Sequence, residues 1–356
     1  MEEEQDYPVI QPLIDTFPED DWRNPYIRYL LTKDLPDEPK LKSKILRSAW
    51  QFEVIHDSSG IPQLHKKSKK FSSLHRCISK NQGQEILREI HQGSCGNHFA
   101  GRSLANKAYT QGYWWPYMRE DAQVLTRSCE ACQKHENFIH TPADELHPML
   151  SPWPFAQWGL DIVGPLPKAP GSRRFLLVAT DYFTKWVEAK PLVHITADDV
   201  RKFLWEDIIC RFGIPHTIVT DNGKQFVAEQ IEALCRSFGI RHHLAAPYHP
   251  EANGQAEATN KTLINTIKKR LKQSKGKWVE ELPAVLWAYR TTPKHSTGLS
   301  PFHLAFGTEV VLPTKIMIPT SRTLAVDGGL NDPQLQFDHA NIDELRDLAL
   351  HSITKY

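Results

Sequence analysis

The order of strand-like and helix-like segments between residues 157 and 290 is the feature that most limits the folds open to this chain. Short apolar runs, which are typical of strands, alternate there with amphipathic stretches that are typical of helices. The pattern predicts strands at 157–163, 174–181, 184–191, 214–220 and 240–245, and helices at 198–212, 226–238, 255–273 and 278–289. Three strands followed by alternating helices and strands indicate an α/β core, a five-stranded mixed sheet flanked by helices.

The rest of the chain divides into smaller units. Acidic residues and prolines predict a linker at the start, with one short helix near residues 26–32. A strand near residues 52–56 and helices near 84–91, 101–110 and 116–127 follow. The predicted units are a linker at 1–44, an extension at 45–82, a helical domain at 83–139, a second linker at 140–154, the core at 155–312 and an acidic tail at 313–356.

Composition excludes several classes of protein. No apolar run approaches the roughly 20 residues that a bilayer-spanning helix needs, and the acidic first residues do not resemble a secretory signal. Six cysteines are too few for a disulfide scaffold. We therefore expect an intracellular protein without a membrane partner.

The net charge of +1 conceals two basic blocks. Residues 64–80 and 258–277 contain several lysines and arginines and no acidic residue. Both blocks are candidate surfaces for a polyanion, although a run of like charge is also typical of an ordinary solvated face.

Two histidines and two cysteines in the helical domain have a spacing typical of a zinc site. The candidates are His91, His98, Cys129 and Cys132. Six residues separate the histidines and two separate the cysteines, which allows four ligands at the corners of a tetrahedron. We predict one structural Zn²⁺ that supplies folding free energy to this small domain. The alternative is a surface histidine and small buried cysteines, and Cys95 and His135 are neighbouring replacements for a ligand.

Three acidic residues of the core are candidates for a second metal site. Asp161 interrupts an apolar strand, Asp221 ends another, and Glu257 begins a basic helix. Carboxylates in such positions are costly unless they are paired or bind a cation, and converging carboxylates bind Mg²⁺. Each acid also has an ordinary interpretation, as a strand-edge residue, a turn former and a first-turn acid respectively. Asp181 is a rival because it too ends an apolar strand.

The predicted helix at 255–273 places charged residues beside Glu257. At about 100° per residue, the charged side chains of one stripe are Glu257, Lys261, Lys268 and Lys272. A row of lysines beside a carboxylate–metal centre suits a phosphodiester backbone. The alternative is a solvated lysine face.

Several motifs in these segments can be compared with a known family. They are the H…H…C-x-x-C module at 89–133 with GYWWP at 112–116, then WGLD at 158–161, TDNGKQF at 220–226, YHPEANGQAE at 248–257, and YRTTP and GLSPF at 289–293 and 298–302. Together they resemble the integrase of Ty3/gypsy-type long-terminal-repeat retrotransposons, close to those of plant genomes. Thirty-five residues lie between Asp221 and Glu257, which matches the family's D,D-35-E signature. The resemblance covers about residues 45–315.

The resemblance implies a ribonuclease-H-like core in which Asp161, Asp221 and Glu257 hold two Mg²⁺ or Mn²⁺ ions. It implies that Asn260 and Lys261 lie near bound DNA. In the family reaction, a 3′-hydroxyl of the element's DNA attacks a target phosphodiester without a covalent enzyme intermediate. The expected partners are element ends, target DNA and further copies of the chain, in the nucleus or in a cytoplasmic particle.

The sequence also departs from the family pattern. Family members usually continue into a small β-barrel and sometimes a chromodomain, whereas this chain stops at Tyr356. We therefore expect a polyprotein fragment or a degenerate copy. The alternative functions are a non-catalytic nucleic-acid-binding protein, and a ribonuclease H or cut-and-paste transposase with the same core.

Overall fold

The helices and strands form two groups, one on each side of residue 150, in a computed structural model of the chain. The structure describes residues 21–57, 59–68, 74–93, 96, 98–134, 151–244, 251–271, 275–294, 296–311, 336 and 340–355. The first group contains α1 (Asn24–Thr32), α2 (Pro39–Ser48), β1 (Phe52–His56), β2 (Pro62–Lys67), β3 (Leu74–Cys77), α3 (Lys80–Gln92), α4 (Gly101–Thr110), β4 (Tyr113–Trp114), α5 (Met118–Arg127) and α6 (Glu130–Lys134).

The second group has the predicted order of strands and helices. It contains β5 (Gln157–Val163), β6 (Phe175–Asp181), β7 (Val187–Leu192), α7 (Ala197–Phe203), β8 (Thr217–Thr220), α8 (Glu229–Phe238), β9 (Arg241–Leu244), α9 (Glu251–Leu271), α10 (Trp278–Arg290), α11 (Pro301–Phe306) and α12 (Ile342–Lys355). Helix α7 continues as a π-helical turn over Leu204–Ile209 and a last turn over Cys210–Phe212.

The second group is built on a five-stranded mixed sheet in the order β7-β6-β5-β8-β9. Strands β5, β6 and β7 pair antiparallel, and β8 and β9 join them in parallel. The parallel pairs need crossover connections, and α7 and α8 provide them. The sheet confirms the predicted α/β class.

Helices cover both faces of this sheet. On one face, Trp158, Leu160 and Ile218 pack with residues of α7 and α8. On the other face, Leu176 and Val178 pack with residues of α9 and α10. Because side chains alternate along a strand, the odd-numbered residues of β5 point toward α9.

The first group contains a second sheet that the sequence did not predict. Its order is β1-β2-β3-β4, and β4 joins β3 in parallel from within the predicted helical domain. The boundary expected between residues 82 and 83 therefore does not separate two independent units. Helix α3 begins in the same region with a capping box, in which Ser79 and Gln82 bond each other's backbone amides.

The expected linker at 1–44 is wrong for residues 21–44, the part that the structure describes. Two helices form there, and Tyr26 and Ile27 are buried in one cluster with Phe52, Leu64 and Cys77. The apolar side chains of α1 cover one face of the second sheet. The high proportion of acidic residues in this segment made the helical spacing of its apolar residues difficult to recognise in the sequence.

The expected acidic tail also differs from what is described of it. Helix α12 packs against α11, where Ala349 lies in a buried cluster with Leu299 and Leu304. Arg346 donates hydrogen bonds from Nε to the Leu304 carbonyl (3.2 Å) and from Nη2 to that of Ala305 (3.3 Å).

Within the described residues, no helix combines the length and the apolar character that crossing a bilayer requires.

Candidate functional site

The four predicted zinc ligands come from two segments of the first group. His91 lies near the end of α3, and the chain returns to it through a turn in which the His98 amide donates to the His91 carbonyl (3.3 Å). Cys129 precedes α6 and Cys132 lies within it. His98 has a φ of +51°, a left-handed backbone that turns its side chain back toward the cysteines.

The ligand atoms of these four residues all lie within 4.8 Å of one another. His98 Nδ1 is 3.3 Å from Cys129 Sγ, and His91 Nε2 is 3.4 Å from Cys132 Sγ. A tetrahedron with Zn–N near 2.0 Å and Zn–S near 2.3 Å has edges of about 3.5 Å. The observed separations therefore fit one zinc ion.

The protonation state of His91 also fits a metal ligand. The side chain is fully buried, and this burial, together with the nearby charges of His98 and Lys269, lowers the pKa of His91 to about 4. The imidazole is therefore neutral at pH 7, as a zinc ligand must be. The alternative candidates Cys95 and His135 lie outside the described residues.

Two of the three predicted acidic ligands lie on neighbouring parallel strands. Gly159 of β5 is paired with Val219 of β8. When this register is continued by two residues beyond the last observed pair, Asp161 is aligned with Asp221, which directly follows β8. By strand alternation both carboxylates belong to the face that α9 covers. These half-buried carboxylates, one within β5 and one directly after β8, offer the oxygen donors that Mg²⁺ prefers.

The Asp161 carboxylate is held by hydrogen bonds from the chain. Its Oδ1 accepts from the Ile162 amide (2.7 Å), and its Oδ2 accepts from Asn260 Nδ2 (2.6 Å). Asn260 is 6% exposed, so most of its surface is covered inside the protein. The residue that we predicted to lie near DNA is thus a direct partner of Asp161.

The Asp221 carboxylate forms the turn that follows β8. Its Oδ1 accepts a hydrogen bond from the Gly223 amide at 3.0 Å. The ordinary interpretation of this residue as a turn former is therefore correct, and it is compatible with a ligand role because the turn fixes the carboxylate at the end of the strand.

The remaining predicted residues lie on α9. Glu257 is three residues before Asn260, about one helical turn, but its side chain lies outside the described part of the structure. Lys261 and Lys268 are exposed, as a contact with DNA requires. Lys272 lies outside the described residues.

The rival Asp181 is a structural residue on the other face of the sheet. It pairs with Trp158, whose face is covered by α7 and α8. Its buried Oδ2 accepts from the amide (2.7 Å) and the hydroxyl (2.6 Å) of Thr184, and its Oδ1 accepts from the Phe155 amide (3.0 Å). Burial raises the pKa of Asp181 to about 6.

Tyr182 lies close to the acidic pair and was not predicted. A Cβ at Gly159 would lie 2.5 Å from Cε1 and 2.6 Å from Oη of this ring. Burial raises the pKa of Tyr182, and the charge of Asp161 adds to the effect. The signal available in the sequence was the glycine inside an apolar strand, which often marks a close approach.

Comparisons with known proteins find a family match for two segments of the chain. Residues 78–137 match the family described as "Integrase zinc binding domain", and residues 152–250 match "Integrase core domain". The chain is 33% identical over 226 residues, 63% of its length, to a Gag-Pol polyprotein of avian reticuloendotheliosis virus. It is 30% identical over 259 residues, 70% of its length, to an uncharacterized protein of Caenorhabditis elegans. It spans only 19% of the length of each of these relatives.

Among solved structures, the chain is similar to one in the CryoEM structure of the simian T-cell lymphotropic virus intasome in complex with PP2A regulatory subunit B56 gamma. The TM-score is 0.47 and the identity 20%, over 66% of this chain and 79% of that chain.

Proposed function

We propose that this chain, which carries an integrase zinc-binding domain followed by an integrase core domain, is a retrotransposon integrase that joins the 3′ ends of element DNA to target DNA. The motifs at 158–161, 220–226 and 248–257 favour the Ty3/gypsy type. The DNA ends, the target DNA and further copies of the chain are its proposed partners, with the nucleus or a cytoplasmic particle as its location.

The observation that carries this proposal is the hydrogen bond that Asn260, on the helix containing Glu257, donates to Asp161. The parallel register of β5 and β8, continued by two residues beyond the last observed pair, aligns Asp161 with Asp221. We infer that the three carboxylates hold two Mg²⁺ or Mn²⁺ ions. Such ions, when bound, activate the attacking hydroxyl and stabilise the leaving oxygen of a phosphodiester.

The protein's own contribution is to position these groups. The Ile162 amide and the Asn260 side chain fix the orientation of the Asp161 carboxylate, and the Gly223 amide fixes that of Asp221. The exposed Lys261 and Lys268 would neutralise phosphates along the same helix, and Lys272 continues that row in the sequence. Phosphoryl transfer depends mainly on such positioning and charge stabilisation.

We assign one structural Zn²⁺ to His91, His98, Cys129 and Cys132. The support is the mutual distance of their donor atoms and the neutral, buried His91. Four protein ligands leave no open coordination position, so this ion would stabilise the fold rather than take part in the reaction.

A plasmid assay with the purified chain, a short blunt duplex as element end, and Mg²⁺ or Mn²⁺ tests the catalytic assignment. We expect metal-dependent nicking or joining that Asp221→Asn reduces at least about a thousandfold. Asp198→Asn, at an exposed position on α7, is the matched control and should retain activity.

The same assay can reject the proposal. Unchanged activity in Asp221→Asn would contradict the assignment of the carboxylates. No activity in the unmodified chain, with DNA still bound and zinc present, would favour a non-catalytic DNA-binding protein.

A further inference from the structure

Two basic residues of α9 do not face solvent but bind the turn between the zinc-ligand histidines. Lys269 Nζ donates to the His98 carbonyl (3.2 Å), and Arg270 Nη1 donates to the Gly96 carbonyl (2.5 Å). Both side chains are partly buried, whereas the neighbouring Lys268 is exposed. The basic block at 258–277 is therefore not a single polyanion surface.

The two acceptor carbonyls are fixed relative to the metal ligands. A Cβ at Gly96 would lie 2.4 Å from the His91 carbonyl oxygen, so the turn packs directly on the end of α3. Cys132 Sγ also lies 3.4 Å from the His98 carbonyl oxygen. A change in the arrangement of the four ligands would therefore move the groups that hold Lys269 and Arg270.

Helix α9 is also attached to the core near its middle, at Asn260. Asn260 donates to Asp161, ten residues before Arg270 and about 15 Å away along the helix axis. Arg270 also donates from Nε to Glu281 Oε2 of α10 at 2.7 Å. One rigid helix thus connects the His/Cys turn with the acidic pair.

We propose that Lys269 and Arg270 couple the metal occupancy of the His/Cys site to the position of α9, and therefore to the hydrogen bond by which Asn260 holds Asp161. The proposal rests on the proposed function for its assignment of both metal sites. Lys269 and Arg270 are positioning residues, because they act through the helix and not on the substrate.

The coupling follows from the dependence of these hydrogen bonds on an ordered turn. Bound zinc holds the turn in one conformation, and the cationic side chains then find fixed carbonyl acceptors. Because coupling between two sites is reciprocal in binding free energy, contacts that hold α9 in place must also raise the affinity for the metal, which we expect to measure as slower metal loss.

Hydrogen exchange of the unmodified full-length chain, with zinc bound and after chelation, provides the first test. We expect chelation to accelerate amide exchange in residues 259–271 at least about threefold, while β5 and β6 stay protected. Faster exchange at 91–98 with no change in α9 would overturn the proposal, and this comparison needs no variant.

The rate at which a colorimetric chelator removes zinc provides the second test. We expect the double variant Lys269→Gln/Arg270→Gln to lose zinc about tenfold faster than the unmodified chain. Lys268→Gln is the matched control for zinc loss, because its side chain is exposed on the same turn of the helix. If the double variant does not fold, Arg270→Lys keeps the charge but shortens the reach, and it should lose zinc at an intermediate rate.

The outcomes separate this proposal from the proposed function. Zinc loss at the unmodified rate in both the double variant and Arg270→Lys would overturn the coupling alone. An unmodified chain that binds no zinc would overturn the metal assignment and the coupling together. If the chain binds zinc but is inactive on the plasmid, the proposed function fails. The hydrogen-exchange and zinc-loss measurements then still test the coupling.

Discussion

The two candidate metal sites differ in what holds their ligands in place. In the His/Cys site, the donor atoms have one another as close neighbours, at 3.3 and 3.4 Å, and come from α3, α6 and residues beside them. In the acidic site, each described carboxylate accepts hydrogen bonds from backbone amides or from Asn260 and lies on a central sheet.

This difference indicates that a metal would have a separate role at each site, ordering the ligands at one and binding to already ordered ligands at the other. The His/Cys ligands need a cation to order them, because their donor atoms otherwise contact mainly each other. The acidic ligands are oriented by the sheet before any cation binds. Removing a His/Cys ligand should therefore unfold the first region. Removing an acidic ligand should abolish activity without unfolding the second region.

The largest effect should come from Cys132→Ser, which replaces a proposed zinc ligand by a near-isosteric group. We expect zinc to fall below one per chain and the free energy of unfolding to drop by about 4 kcal/mol, because metal binding contributes directly to folding. Zinc content and denaturant unfolding measure both.

Two variants serve as references for this result. Cys210→Ser changes an exposed cysteine and should be neutral. Asp221→Asn should shift the free energy of unfolding by less than about 1 kcal/mol. Equal destabilisation by Cys132→Ser and Asp221→Asn would remove the contrast between the sites.

A smaller loss of stability should follow Gly159→Ala. The added methyl group would collide with the Tyr182 ring, and we expect a cost of about 2–3 kcal/mol because overpacking displaces buried side chains. Urea unfolding measures it, and Tyr182→Leu in the same chain should restore part of the loss. An unaffected Gly159→Ala variant would show that the ring beside Asp161 moves freely.

Asp181 should make the stability fall as the pH rises, because burial raises its pKa by more than the nearby Lys185 lowers it. Its pKa is raised to about 6 from the ordinary 3.8. Its contribution is therefore complete below about pH 4 and is lost as the pH rises through about 6. Between these limits, we expect the free energy of unfolding to fall by on the order of 2 kcal/mol more in the unmodified chain than in Asp181→Asn. Identical pH profiles would contradict the assignment.

The smallest expected effect is that of Asn260→Ala on catalysis. Loss of the hydrogen bond to Asp161 should reduce joining activity about tenfold and raise the Mg²⁺ concentration required, as for other residues that orient a metal ligand. Asn81→Ala, at an exposed position of α3, is the control. Weaker DNA binding with an unchanged Mg²⁺ requirement would instead indicate a contact with DNA.

Much of the fold and of the candidate ligands could be predicted from local patterns. The H…H…C-x-x-C spacing identified four residues whose donor atoms converge. Alternating apolar runs identified all five strands of the central sheet, because strand and helix periods are visible in a single sequence.

Contacts between distant segments could not be predicted in this way. The family resemblance implied that Asn260 lies near DNA, yet Asn260 binds Asp161. The basic block at 258–277 was a candidate polyanion surface, yet Arg270 within it binds Gly96. Periodicity shows which residues share a helix face, but not what covers that face. The parallel pairing of β3 with β4 was invisible for the same reason.

The pairing of β3 with β4 has a practical consequence for dissecting the protein. The matched zinc-binding region starts at residue 78, one residue after β3 ends. A fragment that begins there would lack three of the four strands and would expose the edge of β4. It would also expose the face of Trp114 that packs on Trp22 and Phe52. Such edges favour aggregation, so a soluble fragment for biochemistry should begin no later than residue 21.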